Sequence, residues 1–286
     1  MLMEFVLPPP VITFVGALVG TDLFSHQYHW EKNGIGAGAP PTQICKDVNV
    51  DEGVVKEGVG NFVEIKCEGA IRTTGGSDAF NTRTFYRCYR NGDVQVRCTV
   101  KPGSLRKDLK SLPRVGLQLA LDPSLFNVGY LGMGEGENYP DRVSCSQMGV
   151  YRTTASQMHV PYIVPGECGA REGCNWVSFT DKNGAGVLIK PGEDESFSFS
   201  SSLYNTTELH TAMHTYDLAE RKNGDAPVYV NISHKIMGVG GDCSWLPCVY
   251  DQYLVDPKKE YEFSFWICPL GAGQSDMLQS KRVVGV

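Results

Sequence analysis

Val94-Gln95-Val96-Arg97-Cys98-Thr99-Val100 alternates apolar and polar residues without a break. Successive side chains of a strand point to opposite faces, so the segment puts Val94, Val96, Cys98 and Val100 on one side and Gln95, Arg97 and Thr99 on the other. The same period recurs in Val115, Leu117, Leu119 and Leu121, in Val228, Val230 and Ile232, and in Tyr261, Phe263, Phe265 and Ile267. Period two in so many segments predicts half-buried strands of antiparallel sheets. Asn91-Gly92 and Asn183-Gly184 stand between such runs. Each predicts a tight hairpin of type I′, which needs positive φ at both central residues.

One segment departs from the rule. Leu209, Ala212, Met213 and Tyr216 fall at helical spacing, with Asn205 as N-cap and Glu208 at the reciprocal position. They predict one short helix at about 206–218 in an otherwise all-β fold, a large antiparallel sandwich or barrel. No βαβ alternation, Walker loop or Rossmann fingerprint is present. Gly34 to Pro41 is the most flexible composition in the chain and predicts a division into an irregular segment 1–40, a main domain 41–270 and a tail 271–286.

The chain has 286 residues, 42% of them apolar, enough for a sizeable core. Its net charge is −6 and it has no basic run, so nucleic acid and anionic membrane surfaces have no electrostatic basis as partners. Ten cysteines lack any Cys-x-x-Cys spacing and read as single thiols packed as small hydrophobes. Cys168 with Cys174, or Cys243 with Cys248, could pair only if their loops fold back, and a zinc site has little support. Met1 to Gly20 has no basic start and is interrupted by three prolines, unlike a signal peptide, which leans toward the cytoplasm without fixing a compartment. Asn205-Thr206-Thr207 and Asn231-Ile232-Ser233 are glycosylation sequons that matter only in a secreted chain.

Two glycine-rich stretches carry the candidate chemistry. In Met237-Gly238-Val239-Gly240-Gly241-Asp242-Cys243-Ser244-Trp245, the glycines permit a sharp turn with a tryptophan on its rim. Trp245 reads either as a core anchor beside a bend or as a flat face for the C–H side of a sugar ring. Gly132 to Arg142 reads as a turn beside a polar cluster in which Arg142 can pair with Glu137 or Asp141. It is not a phosphate loop: no Lys-Ser/Thr follows, and Tyr139-Pro140 forces extended backbone. Glycosidases need two facing carboxylates. Glu135 and Glu137 point the same way along one segment, Glu167 and Glu172 read as a charge cluster around Arg171, and no carboxylate stands out as a nucleophile. His210 and His214 share a helical spacing that can hold metal, but helix-surface histidines are the plainer reading.

Five motifs in order go further. Leu112-Pro113-Arg114-Val115-Gly116-Leu117 comes first, then Gly132 to Arg142 with Glu137-Asn138-Tyr139-Pro140-Asp141-Arg142. Tyr162, Pro165, Glu167, Gly169 and Arg171 follow at fixed spacing, then Glu208 to Leu218, then Met237 to Trp245. Together they resemble the C-terminal small-chain domain of the bacterial-type β-galactosidases of glycoside hydrolase family 2. The match runs from about Thr84 to Leu270. Upstream, Trp30-Glu31-Lys32-Asn33-Gly34 looks like the family's entry into the domain. Gly166, Ser233, Ile236 and Cys243 depart from the family's common residues.

The resemblance implies a galactose-mutarotase-like super-sandwich. It also implies a role without catalytic residues. The family's catalytic glutamates lie on a barrel upstream of this domain, and the domain supplies one wall of the active-site mouth. Trp245 then matches a platform beside the leaving-group sugar, positioned by Gly238, Gly240 and Gly241. Glu137, Asn138, Tyr139, Asp141, Arg142 and Arg171 match motif residues with a structural role. The implied partners are the β-galactosidase large chain, or upstream catalytic domains, and a galactoside; no cofactor or metal is implied in this chain. Two other readings stand beside it: a freestanding carbohydrate-binding module, and a mutarotase-like aldose epimerase, which would need a converging His and carboxylate.

Overall fold

In the computed structural model the described residues are 11–13, 26–36, 41–53, 62–104, 109–192, 196–242 and 249–285. The strands in chain order are β1 (Val11–Thr13), β2 (Thr42–Gly53), β3 (Phe62–Arg72), β4 (Asp78–Tyr89), β5 (Val94–Pro102), β6 (Arg114–Leu121), β7 (Asn127–Gly134), β8 (Gln147–Thr154), β9 (Arg171–Cys174), β10 (Trp176–Thr180), β11 (Gly186–Pro191), β12 (Phe197–Ser202), β13 (Val228–Ile236) and β14 (Tyr261–Leu270). They form two antiparallel sheets, a five-stranded one in the order β1-β6-β13-β12-β9 and a nine-stranded one in the order β2-β3-β4-β5-β14-β11-β10-β7-β8. The alternation seen in the sequence sets this up. Val96, Cys98, Val100, Phe263 and Phe265 of the large sheet bury against Val115, Leu117, Leu119, Val228, Val230 and Ile232 of the small one. The result is an all-β sandwich with one main core.

The sheets are unequal, and their mismatch can be followed residue by residue. One row across the inner face of the large sheet runs Val50, Ile65, Tyr86, Val96, Phe265. Val50 is 62% exposed, whereas Val96 and Phe265 are 1% and 2% exposed. A second row, Val48, Cys67, Thr84, Cys98, Phe263, makes the same passage from open to buried. The outer face of the same strands is charged: Arg87 pairs with Glu64 at 2.7 Å and Arg83 with Glu68 at 3.0 Å.

Two local expectations need correction. Both Asn-Gly hairpins use three-residue loops instead of two-residue type I′ turns. Tyr89 N–H donates to Asp93 O across the first, Gly92 N–H donates to Tyr89 O, and only then does Gly92 take φ +87°. Asp181, Gly184 (φ +81°) and Ala185 repeat the arrangement. This is the alternative in which a turn closes on a left-handed glycine bulge. Loop side chains explain it: Asn91 Oδ1 accepts from Asp93 N–H while its Nδ2 donates to Asp93 Oδ2, and Asp181 Oδ1 accepts from Asn183 N–H and Ala185 N–H, stabilising the longer loop.

The expected helix at 206–218 is shorter and is one of several. Besides α1 (His26–Lys32) and α2 (Ala155–Met158), the described residues contain α3 (Thr206–Thr211) and α4 (Asp276–Ser280). The start of α3 is as anticipated: Asn205 and Glu208 form a complete capping box. It stops early because Asp217 Oδ2 accepts the N–H groups of Met213 and His214 and draws them out of helical register. A 3-10 turn at Thr215–Asp217 follows. Leu209 and Ala212 are buried, but Met213 and Tyr216 face solvent. The two histidines of the i, i+4 pair therefore do not share a helix.

Described parts of both ends pack onto the sandwich. β1 extends the small sheet. Trp30 on α1 is 3% exposed and its Nε1–H donates to Ser111 O at 2.7 Å. On α4, Asp276 accepts a two-pronged bond from Arg152 and another from Ser178. No helix among the described residues is long and apolar enough to cross a membrane. The cysteines at 45, 67, 88, 98, 145, 168, 174 and 268 are free, including Cys168 and Cys174, while Cys243 and Cys248 lie outside the described residues.

Candidate functional site

The fold brings the two glycine-rich stretches together at the end of β7 and β13. Asp141 is the link. Its Oδ1 accepts from Val239 N–H at 3.0 Å and its Oδ2 from Gly240 N–H at 2.7 Å. Two backbone donors on one carboxylate fix the course of the Met237–Asp242 loop across 98 residues of sequence. The loop is also held from behind, by Met237 N–H to Pro113 O and Gly238 N–H to Tyr253 O, both 2.9 Å.

The three glycines serve different needs. A Cβ on Gly238 would lie 2.6 Å from Asp141 Oδ2 and 2.9 Å from Tyr253 Cβ, so this position needs space. Gly240 and Gly241 take φ +67° and +95°, so these positions need left-handed backbone. Trp245, which the loop leads toward, lies outside the described residues.

Arg142 does not pair with the carboxylate of Glu137 or of Asp141. Its Nη1 donates to the backbone carbonyl of Asp141 at 2.9 Å, while Nη2 donates to Gly240 O and lies 3.1 Å from Asp242 Oδ1. It staples the same loop from the other side. Arg171 likewise leaves its flanking glutamates. It donates to Tyr130 Oη at 3.0 Å and to the carbonyls of Gly169 and Ala170 at 3.1 and 3.0 Å. Glu167 turns instead to the buried Arg114. The charge cluster around Arg171 is absent because its donors are satisfied by Tyr130 Oη and two adjacent carbonyls, while Glu167 takes its charge partner from another strand.

Asn138, 1% exposed, is the second junction. Its amide donates to Met133 O and Gly136 O, its Oδ1 accepts from Glu172 N–H at 2.7 Å, and its own N–H donates to Ala170 O. One side chain thus joins the turn after β7 to the start of β9. Glu137 completes the joint by accepting from Gly169 N–H at 2.8 Å and from the Tyr162 hydroxyl. Tyr139 packs its ring with Ala170, Ile236 and Val239 in a small separate cluster, and burial holds its hydroxyl well above the ordinary tyrosine range.

Three of the carboxylates are engaged, Glu137 by two donors, Asp141 by two and Glu167 by Arg114, while Glu135 faces solvent. Glu172 differs. Burial pushes its carboxyl up to about 7, against the opposing pulls of Ser198 and Lys235. It lines a cavity of about 300 Å³ with Pro140, Ser198, His234 and Tyr253 behind the loop. A larger cavity of about 470 Å³ lies at Arg152, Ser178 and Asp276 and includes none of the motif residues. Among the described residues no group of three or more His, Cys, Asp or Glu side chains is placed to hold a metal ion. His210 Nε2 lies 4.0 Å from Glu31, and His214 faces Asp217.

Tyr253, Tyr130 and Ala170 were not singled out by the sequence reading. Tyr253 and Ala170 act through backbone carbonyls, which no residue pattern encodes. Tyr130 lies in an ordinary alternating strand.

Fold and site together define a β-sandwich domain that holds a glycine-rich rim loop by side chain-to-backbone bonds. A family model described as the β-galactosidase small chain matches residues 3–267, and the chain belongs to that family. It is 31% identical over 236 residues to a β-galactosidase of Pseudoalteromonas haloplanktis, covering 82% of this chain and 20% of that protein. A β-galactosidase of Photobacterium profundum is 31% identical over 242 residues (84% of this chain, 21% of that protein), and one of Vibrio cholerae 38% over 187 residues (65% and 17%). The chain spans about a fifth of the length of the curated relatives it matches. A solved amine oxidase of Aspergillus nidulans aligns at TM-score 0.31 and 11% identity over 86% of this chain and 39% of that one, too distant to bear on function.

Proposed function

We propose that the chain is the non-catalytic small-chain portion of a β-galactosidase. It binds the sugar at the rim loop and completes the mouth of a site that hydrolyses terminal β-D-galactosides such as lactose. The observation that carries this reading is the Asp141–Arg142 clamp on the Gly238–Asp242 loop. Such a clamp sets the approach to Trp245, which serves as the stacking platform for the leaving-group sugar. Glu137, Asp141 and Glu167 hold backbone, tyrosine and arginine donors, which supports bond cleavage by another polypeptide.

The test is complementation with a chromogenic galactoside. The chain alone should give no hydrolysis, and hydrolysis should appear on mixing with a β-galactosidase catalytic portion. Trp245→Ala should lower the rate of the mixture by about tenfold or more, the scale of a lost aromatic contact. Hydrolysis by the isolated chain would overturn the proposal.

A further inference from the structure

Large apolar side chains open to solvent gather in two short loops that lie side by side. Tyr162, Ile163 and Val164 are 46, 81 and 41% exposed, and Met213 and Tyr216 are 66 and 79% exposed. Two bonds join the loops, Thr215 N–H to Ile163 O at 3.2 Å and Thr215 Oγ1 to Tyr162 O at 2.7 Å. Clusters of this kind on a soluble chain mark places where something binds.

The patch is built rather than left over. Asp217 Oδ2 accepts from Met213 N–H and His214 N–H at 3.0 and 2.9 Å. The ring of Tyr216 stacks on His214 with centroids 4.7 Å apart and planes 7° from parallel. Arg221 bonds Glu208, which caps α3, and so anchors the segment from which the second loop leaves. Such a surface loses little conformational entropy when it is covered, and tyrosine is enriched among residues that dominate binding. The polar groups beside the patch are engaged within it: Asp217 Oδ2 accepts two backbone N–H groups and lies 3.8 Å from His214 Nδ1. A complementary surface is therefore apolar.

The patch is continuous with the rim, because the Tyr162 hydroxyl donates to Glu137 of the motif loop. We infer that it is the seat of the catalytic polypeptide, which docks an apolar surface on Tyr162, Ile163, Val164, Met213 and Tyr216. This rests on the proposed function. Two observations choose the occupant. Glu137, Asp141 and Glu167 are engaged by backbone, tyrosine and arginine donors, so under the proposed function the bond-breaking groups come to the rim from outside, across the ground next to it. The curated relatives also carry about four-fifths of their length beyond the part this chain matches. A second copy of this chain would cover the patch but bring no such groups.

The test mixes the full chain with the portion of the P. haloplanktis β-galactosidase outside the matched region, used as a folded, monodisperse preparation verified by circular dichroism and sedimentation. Binding is read by sedimentation velocity, and the footprint by hydrogen exchange. The expected result is a complex in which peptides 160–165 and 212–217 are protected. Ile163→Asp and Met213→Asp should weaken it about 100-fold or more with an unchanged thermal midpoint of the chain, and Val50→Asp should leave it intact. Equal binding by Ile163→Asp and the wild type would overturn the docking surface and leave the proposed function standing. No binding of the wild-type chain to the folded probe would overturn both. A dimer of the chain alone that Ile163→Asp returns to monomer would assign the patch to a second copy.

Discussion

The two halves of the nine-stranded sheet share one backbone ladder and one alternation of side chains, yet they are held differently. From β5 through β14 toward β7, the inner face is covered by the small sheet, and its rows end in residues such as Val96 and Phe265 that are almost fully buried. Across β2 and β3 the same rows end in Val48 and Val50, which are 51 and 62% exposed. An apolar residue on a regular strand is thus not by itself a stabilising one. What matters is whether a second layer removes it from water.

Removing the ring at the covered end breaks that contrast hardest. Phe265→Ala should cost about 3–5 kcal/mol, measured by urea denaturation, since the cavity adds to the lost transfer energy. A cost below about 1 kcal/mol would mean that the sheets do not pack as described. Asn138→Ala comes next, at about 1–3 kcal/mol, because it strips partners from backbone groups of β7, of the turn after it and of the start of β9. Its second signature should be faster hydrogen exchange at Glu172, whose N–H the amide oxygen accepts.

Glu172 sharpens the comparison through pH. Its carboxyl is raised to about 7 in the folded chain from an ordinary value of 4.5. The folded state therefore holds the proton more tightly than the unfolded state, so stability from this group is fully present below pH 4.5 and falls as pH rises toward 7. Glu172→Gln should gain stability relative to the wild type at pH 8 compared with pH 4. A pH-independent difference between the two would refute the burial argument.

The thiols read the same gradient without mutation. Burial raises Cys67 and Cys88, and pushes Cys98 up to about 12. Alkylation at pH 8, followed by mass spectrometry, should modify exposed Cys45 first, Cys67 and Cys88 more slowly, and Cys98 only on unfolding. The smallest effect closes the series: Val50→Ala should change stability by no more than about 0.5 kcal/mol.

Much of this was legible in the sequence because burial of alternate side chains is a local signal. Val94 to Val100 and Tyr261 to Ile267 announced their faces directly, and the Asn205–Glu208 box announced the start of a helix. The ends of local elements were less legible. The side chains of Asn91, Asp181 and Asp217 decide the loop lengths and the helix stop, and each competes with a pattern that reads well without it. At the site, the residue identities were visible but their partners were not. Arg142 and Arg171 bond carbonyls that any residue could offer, so charge alone pointed each arginine to the wrong neighbour.

β2 has one more consequence. Its twelve residues form the edge of the large sheet, with no further strand beside it among the described residues. A long row of N–H and C=O groups at such an edge is a template on which a second chain can add itself, and fibrils grow this way. Lys46, Asp47 and Asp51 stand along it in water. A stray strand that pairs there would have to approach those charges and strip their hydration. Charges that stand along the edge in this way guard it against such pairing.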